Sequence, residues 1–146
     1  MTVLGASLSI LIVEDNRGDS ELAKIALEEA KVDAEVRVVE CIAAALESLQ
    51  CLDTDVVLLD MGLPDAIGLD GLRAIITHAP LTPIILLTGL SDQDNALQSL
   101  EHGAADYLVK GDYTPSILAR AIHYAIERKN PNSRYSVQHV STWLPG

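Results

Sequence analysis

Short apolar runs alternate along the chain with longer stretches of helical spacing. Leu8–Val13, Ala34–Val39, Asp55–Leu59, Pro83–Thr88 and Tyr107–Val109 have the length and composition of strands. Between them, Leu22, Ile25, Ala26, Leu27 and Ala30 recur at the period of a helix. So do Ile42, Ala45, Leu46 and Leu49, then Leu69, Leu72, Ile75 and Ile76, then Ala96, Leu97 and Leu100. The fifth set is the fullest: Ile117, Leu118, Ala121, Ile122, Ala125 and Ile126. Terminus signals agree with these spans. Asn16 and Ser91 are placed to cap the first and fourth helices, and Thr114-Pro115 opens the fifth. Gly103 stands where the fourth should end, and Pro131 makes Asn130 a poor continuation of the fifth.

Strands alternating with helices predict an α/β domain with a parallel sheet covered on both faces. The near-continuous apolarity of the first, third and fourth strands supports burial on both sides. The domain is expected over residues 8–129, with 130–146 as a tail that lacks any clear period. No internal repeat is visible.

Composition narrows the class. In 146 residues, 49% are apolar and none is Phe, so Leu, Ile, Val and Ala must fill the core. Ten Lys and Arg stand against 21 Asp and Glu, a formal charge of −11. That balance argues against direct binding of nucleic acid or an anionic membrane and favours a cation or a basic protein partner. No apolar run approaches the ~20 residues of a membrane span. Cys41 and Cys51 form no disulfide framework or metal pattern and are expected to be small buried hydrophobes in a reducing, cytoplasmic setting. The four histidines lack zinc-ligand spacing.

In an open parallel sheet, ligands bind beyond the carboxyl ends of the strands. Glu14 and Asp15 follow the first strand, Asp60 the third, Thr88 the fourth and Lys110 the fifth. Taken singly, each has an ordinary structural role as a cap, strand end or solvated loop residue. Together they make a specific chemical set. Gathered carboxylates repel one another unless a hard divalent cation with oxygen ligands joins them. A lysine supplies a point positive charge for a phosphate, a threonine a hydroxyl donor, and an aspartate a nucleophile for aspartyl-phosphate chemistry. The set therefore points to phosphoryl transfer.

With "LIVEDN", "VVLLDMGLPD", "IILLTG" and "GAADYLVKG" in this order, the chain resembles the receiver domain of bacterial two-component response regulators over about residues 8–129. The resemblance implies a flavodoxin-like, doubly wound, five-stranded parallel sheet in the order 2-1-3-4-5, flanked by five helices. It implies that Asp60 accepts a phosphoryl group from the phosphohistidine of a histidine kinase or histidine phosphotransfer protein in a phosphorelay. Mg²⁺ is the implied cofactor, held by Glu14, Asp15, Asp60 and the backbone carbonyl of Gly62. Thr88 and Lys110 would contact the phosphoryl group, with Thr88 and Tyr107 as switch residues. Pairing of two receivers through the fourth helix, fifth strand and fifth helix is also implied.

Such a chain is a signalling switch, with no catalysis beyond its own phosphotransfer and slow self-dephosphorylation. No output domain is expected in the tail, which leaves a stand-alone receiver or one cut from a longer chain. The alternative is a pseudo-receiver that binds partners without phosphorylation. An aspartyl phosphatase of the haloacid-dehalogenase type needs a second Asp where Gly62 stands. A flavin-binding module needs a hydroxyl- and glycine-rich phosphate loop where the acidic "EDNRGDS" stands.

Two departures from the receiver pattern carry expectations of their own. Gly111 follows Lys110 where receivers usually have a cis-linked proline, so a trans or mobile bond is expected there. Gly62 and Leu90 flank the position of the hydrolytic water and cannot orient it by hydrogen bonding, so the phosphorylated state should be long-lived.

Overall fold

A computed structural model describes residues 7–66, 69–89 and 93–129, the side chains of 93–95 excepted. Its elements in chain order are β1 (Leu8–Val13), α1 (Arg17–Glu29), β2 (Ala34–Val39), α2 (Ile42–Cys51), β3 (Val56–Asp60), α3 (Asp70–His78), β4 (Ile84–Thr88), α4 (Gln93–Glu101), β5 (Asp106–Val109) and α5 (Pro115–Lys129). The five strands are all parallel in the order β2-β1-β3-β4-β5, as the resemblance implied.

Side-chain alternation along each strand divides the core in two. Leu8, Ile10, Ile12, Val56, Leu58, Ile85 and Leu87 pack against Ala23, Ala26 and Leu27 of α1 and Leu118, Ala121, Ile122 and Ala125 of α5. Leu11, Val13, Val57, Leu59, Ile84 and Leu86 pack on the other face with Ile42 and Ala45 of α2 and Leu72 and Ile75 of α3. Every residue of β3 and β4 is buried, which is why those strands read as unbroken apolar runs. The edge strand β2 is only half-buried. No helix among the described residues is long and apolar enough to cross a membrane.

The helix boundaries follow local chemistry. Asn16 is extended (φ −91°, ψ 112°), and its side chain accepts the Asp19 N–H at 3.0 Å to cap α1. Thr114 Oγ1 accepts the Ile117 N–H at 3.2 Å at the start of α5. Gly103 closes α4 with φ 113°, a conformation that favours glycine. Ser91, Asn130, Leu90 and the tail 130–146 lie outside the described residues.

Three expectations need correction. The third strand is Val56–Asp60 rather than Asp55–Leu59, because Asp60 pairs with Leu87 inside the ladder while Asp55 accepts the Ser9 N–H below it. Cys51 is exposed and Cys41 half-buried, since both sit at the ends of α2 beyond its sheet-facing residues. Leu22 and Ile25 share the apolar periodicity of α1 but are 60% and 46% exposed; the small Ala23 and Ala26 with Leu27 face the sheet instead.

Candidate functional site

The carboxyl ends of the strands bring the sequence-selected residues together. The Glu14 N–H still donates to the Val39 carbonyl at 2.9 Å, so this side chain leaves the sheet from a fixed backbone and is buried. Asp15, one residue further, is exposed. Asp60 ends β3, and its alternation with Val56 and Leu58 directs it to the face covered by α1 and α5. Thr88 ends β4 and is only 1% exposed.

Lys110 stands one residue past β5, and its N–H donates to the Thr88 carbonyl at 2.7 Å. The chain then turns: the Asp112 N–H donates to the Val109 carbonyl at 3.0 Å, and Gly111 has φ 79°. That is the pattern of a type II turn, whose third residue must be left-handed. Proline, locked near −65°, cannot take that place. The Lys110–Gly111 peptide is trans, as expected.

The Lys110 ammonium is the electrostatic centre of the site. Nζ lies 2.7 Å from Glu14 Oε1, 2.7 Å from Asp60 Oδ1 and 2.9 Å from Asp19 Oδ2. Burial by itself would lower the lysine pKa; contacts with Asp60, Glu14 and Asp19 outweigh it and hold the ammonium more firmly protonated than a free lysine. Glu14 is pushed upward, chiefly by burial and also by the neighbouring Asp60 charge, while Lys110 and the Asn16 N–H oppose that shift. The Asn16 N–H reaches Glu14 Oε2 at 3.0 Å.

The set fits a hard cation. Glu14, Asp15 and Asp60 each offer a carboxylate oxygen, all within 4.8 Å of one another. One lysine charge is shared among more carboxylates than it can neutralise, and an all-oxygen donor set suits a hard divalent ion. Gly62 is beside them: a Cβ added there would lie 3.7 Å from Asp60 Oδ2. Among the described residues, Thr88 Oγ1 is buried without a hydrogen-bond partner, which is unfavourable unless something arrives to accept its proton. Tyr107 pairs with Leu86 across the β4–β5 ladder and packs half-buried on the α2–α3 side, the sheet face that alternation assigns to Thr88 as well.

Three participants were not singled out from sequence. Asp19 reaches Lys110 from the first turn of α1; its spacing from Asn16 marks only a capped, acid-bearing helix start. Tyr113, half-buried, borders a cavity of about 200 Å³ together with Asp19, Leu22, Ile25, Lys110 and Pro115. Asp65 accepts the N–H groups of Ile42 (2.9 Å) and Ala43 (3.1 Å), capping α2 where Cys41 provides no side-chain cap. No local sequence signal joins Asp65 to α2.

The chain is similar to known proteins in both sequence and fold. A family model described as the response regulator receiver domain matches residues 10–122. The DNA-binding transcriptional regulator NtrC of Proteus hauseri is 37% identical over 68% of this chain; the match covers 22% of NtrC itself, so the chain spans less than a quarter of that relative. A response regulator receiver domain protein from Clostridium thermocellum superposes with a TM-score of 0.74 at 32% identity, covering 86% of this chain and 99% of that one. The receiver domain of a sensor histidine kinase from Pseudomonas aeruginosa, solved with a magnesium ion coordinated in its active-site cleft, has a TM-score of 0.70 at 28% identity. That match covers 83% of this chain and 98% of the other.

Proposed function

The chain belongs to the family of response regulator receiver domains, and from that membership we propose that Asp60 is the residue on which it is phosphorylated. Receiver domains are phosphorylation-dependent signalling switches. The observation that best supports Asp60 is the Lys110 ammonium 2.7 Å from its Oδ1, with the buried, unpartnered hydroxyl of Thr88 at the end of the adjacent strand. The acceptor and a cation for the phosphoryl oxygens thus meet directly, and a waiting donor ends the neighbouring strand. Nothing favours partner binding without phosphorylation over this reading.

In this reading an Asp60 carboxylate oxygen attacks the phosphorus of a partner's phosphohistidine. The P–O bond forms as the P–N bond breaks, and the imidazole leaves with the electron pair. Lys110 offers its charge to the phosphoryl oxygens, and Thr88 donates its hydroxyl to one of them. Glu14, Asp15, Asp60 and the Gly62 carbonyl would hold Mg²⁺, which when bound offsets the added negative charge. The groove beside Lys110, with exposed Leu22 and Ile25 on one wall and Tyr113 and Pro115 on the other, suits the apolar face of a kinase or phosphotransfer helix.

Movement of Thr88 toward the phosphoryl group would free space on the face it shares with Tyr107, and the ring would follow. The surface altered is that of α4, β5 and α5, where Leu97 and Ile117 are exposed and suit pairing with a second receiver. Incubation with Mg²⁺ and acetyl phosphate, followed by mass spectrometry, tests the acceptor. The expected gain of one phosphoryl group should be absent in Asp60→Asn; its persistence there would reject the assignment.

A further inference from the structure

We infer that Asp19 is a positioning residue for Lys110, holding its ammonium over Asp60 while the phosphoryl group arrives; this rests on Asp60 being the acceptor. An ammonium has three N–H donors, and three carboxylates lie within 2.9 Å of Lys110 Nζ. Glu14 and Asp60 belong to the carboxylate cluster that fits a cation. Asp19 does not. It is the one partner of Lys110 in this trio whose charge is neither committed to that cluster nor consumed by phosphorylation.

The backbone around Lys110 leaves this role open. Its main chain is tied to β4 through Thr88 and then enters the Gly111 turn, and among the described residues nothing beyond its chain neighbours lies within 4 Å of the place a Gly111 Cβ would occupy. A flexible four-carbon stem therefore projects from a turn with an open flank, and its tip is aimed by the carboxylates. Asp19 is itself held. Its N–H is bound by the Asn16 cap, which fixes the first turn of α1 and presents the carboxylate toward β5.

The opposite role would be a charge brake, in which the Asp19 carboxylate repels an incoming phosphate. The two are separable in the full chain with phosphoramidate as donor, Mg²⁺, and the variants Asp19→Ala, Asp19→Asn and Asp19→Glu. Positioning predicts that the rate at saturating donor falls on the order of tenfold in Asp19→Ala with donor KM unchanged. Asp19→Asn, which keeps an acceptor oxygen, should fall between, and Asp19→Glu should recover most of the rate. Solvent exchange of the Lys110 ammonium protons, read from its ¹⁵Nζ signal, should be faster in Asp19→Ala than in the wild type.

Alanine and asparagine variants as fast as the wild type, or faster, would overturn the inference. So would unchanged ammonium exchange in Asp19→Ala. Failure of the wild type to take up phosphate would instead sink the acceptor reading, and the ammonium exchange would still report whether Asp19 holds Lys110.

Discussion

Lys110 Nζ stands 2.7 Å from Asp60 Oδ1 although their strands, β5 and β3, are separated by β4. The lysine leaves the sheet just past β5 and reaches back across the end of β4. Removing it leaves Glu14 and Asp60 without their cation in a half-dry site. Lys110→Ala should lose about 1–2 kcal/mol of stability in denaturant titrations without divalent ions. Mg²⁺ should raise the melting temperature of this variant more than that of the wild type, since the uncompensated negative charge is larger.

Thr88 hides a hydroxyl that has no partner among the described residues. Thr88→Val keeps the shape and removes that group, so the unphosphorylated protein should gain about 1 kcal/mol in denaturant melts. The same variant should take up and retain the phosphoryl group less well, which acetyl phosphate labelling reads directly. A stability loss instead would mean that the hydroxyl has a partner before phosphorylation.

Gly62 lies against the Asp60 carboxylate, close enough that any side chain there starts 3.7 Å from Oδ2. A side chain that can hold water at this point should shorten the life of the phosphorylated state. Gly62→Asn is expected to speed loss of the phosphoryl group several-fold, because its amide can orient the attacking water by a hydrogen bond. Decay measured by mass spectrometry after removal of the donor checks it.

Gly111 has room for a side chain but not the backbone for one, with φ 79° in open surroundings. Gly111→Ala should therefore cost about 1 kcal/mol through the left-handed conformation alone. Gly111→Pro should cost more, because the ring cannot reach that φ and the turn after β5 must be rebuilt.

Asp65 joins the loop after β3 to the start of α2. Its pKa is lowered by the Ile42 and Ala43 N–H groups it accepts. A carboxylate depressed in the folded state stabilises fully above its ordinary value of 3.8 and loses that effect as pH falls through the depressed one. Asp65→Asn should lower the melting temperature at pH 7, and the gap to the wild type should close in strongly acidic buffer.

The alternation of β and α elements, the bounds of β1 and β2 and the starts of α1 and α5 are legible in the sequence, because period and caps are local properties of neighbouring residues; the expected ranges of β3, β4 and β5 each miss by one residue. Also legible is the placement of the candidate site: Glu14, Asp15, Asp60, Thr88 and Lys110 each end or follow a strand, and parallel strands carry their ends to one side. Apolar period, however, marks only what a residue is made of. Leu22 and Ile25 share the stripe of α1 and yet line an open groove, because alanines let the helix lie close to the sheet along a different face.

The sequence by itself determined the parallel sheet and the five residues gathered at its carboxyl end. Tertiary structure alone decided their second rank of partners. Asp19 meets Lys110 across 91 positions and Asp65 meets Ile42 across 23. Those distances depend on how α1 and α2 dock on the sheet, which is set by the packing of the whole core and by no local pattern.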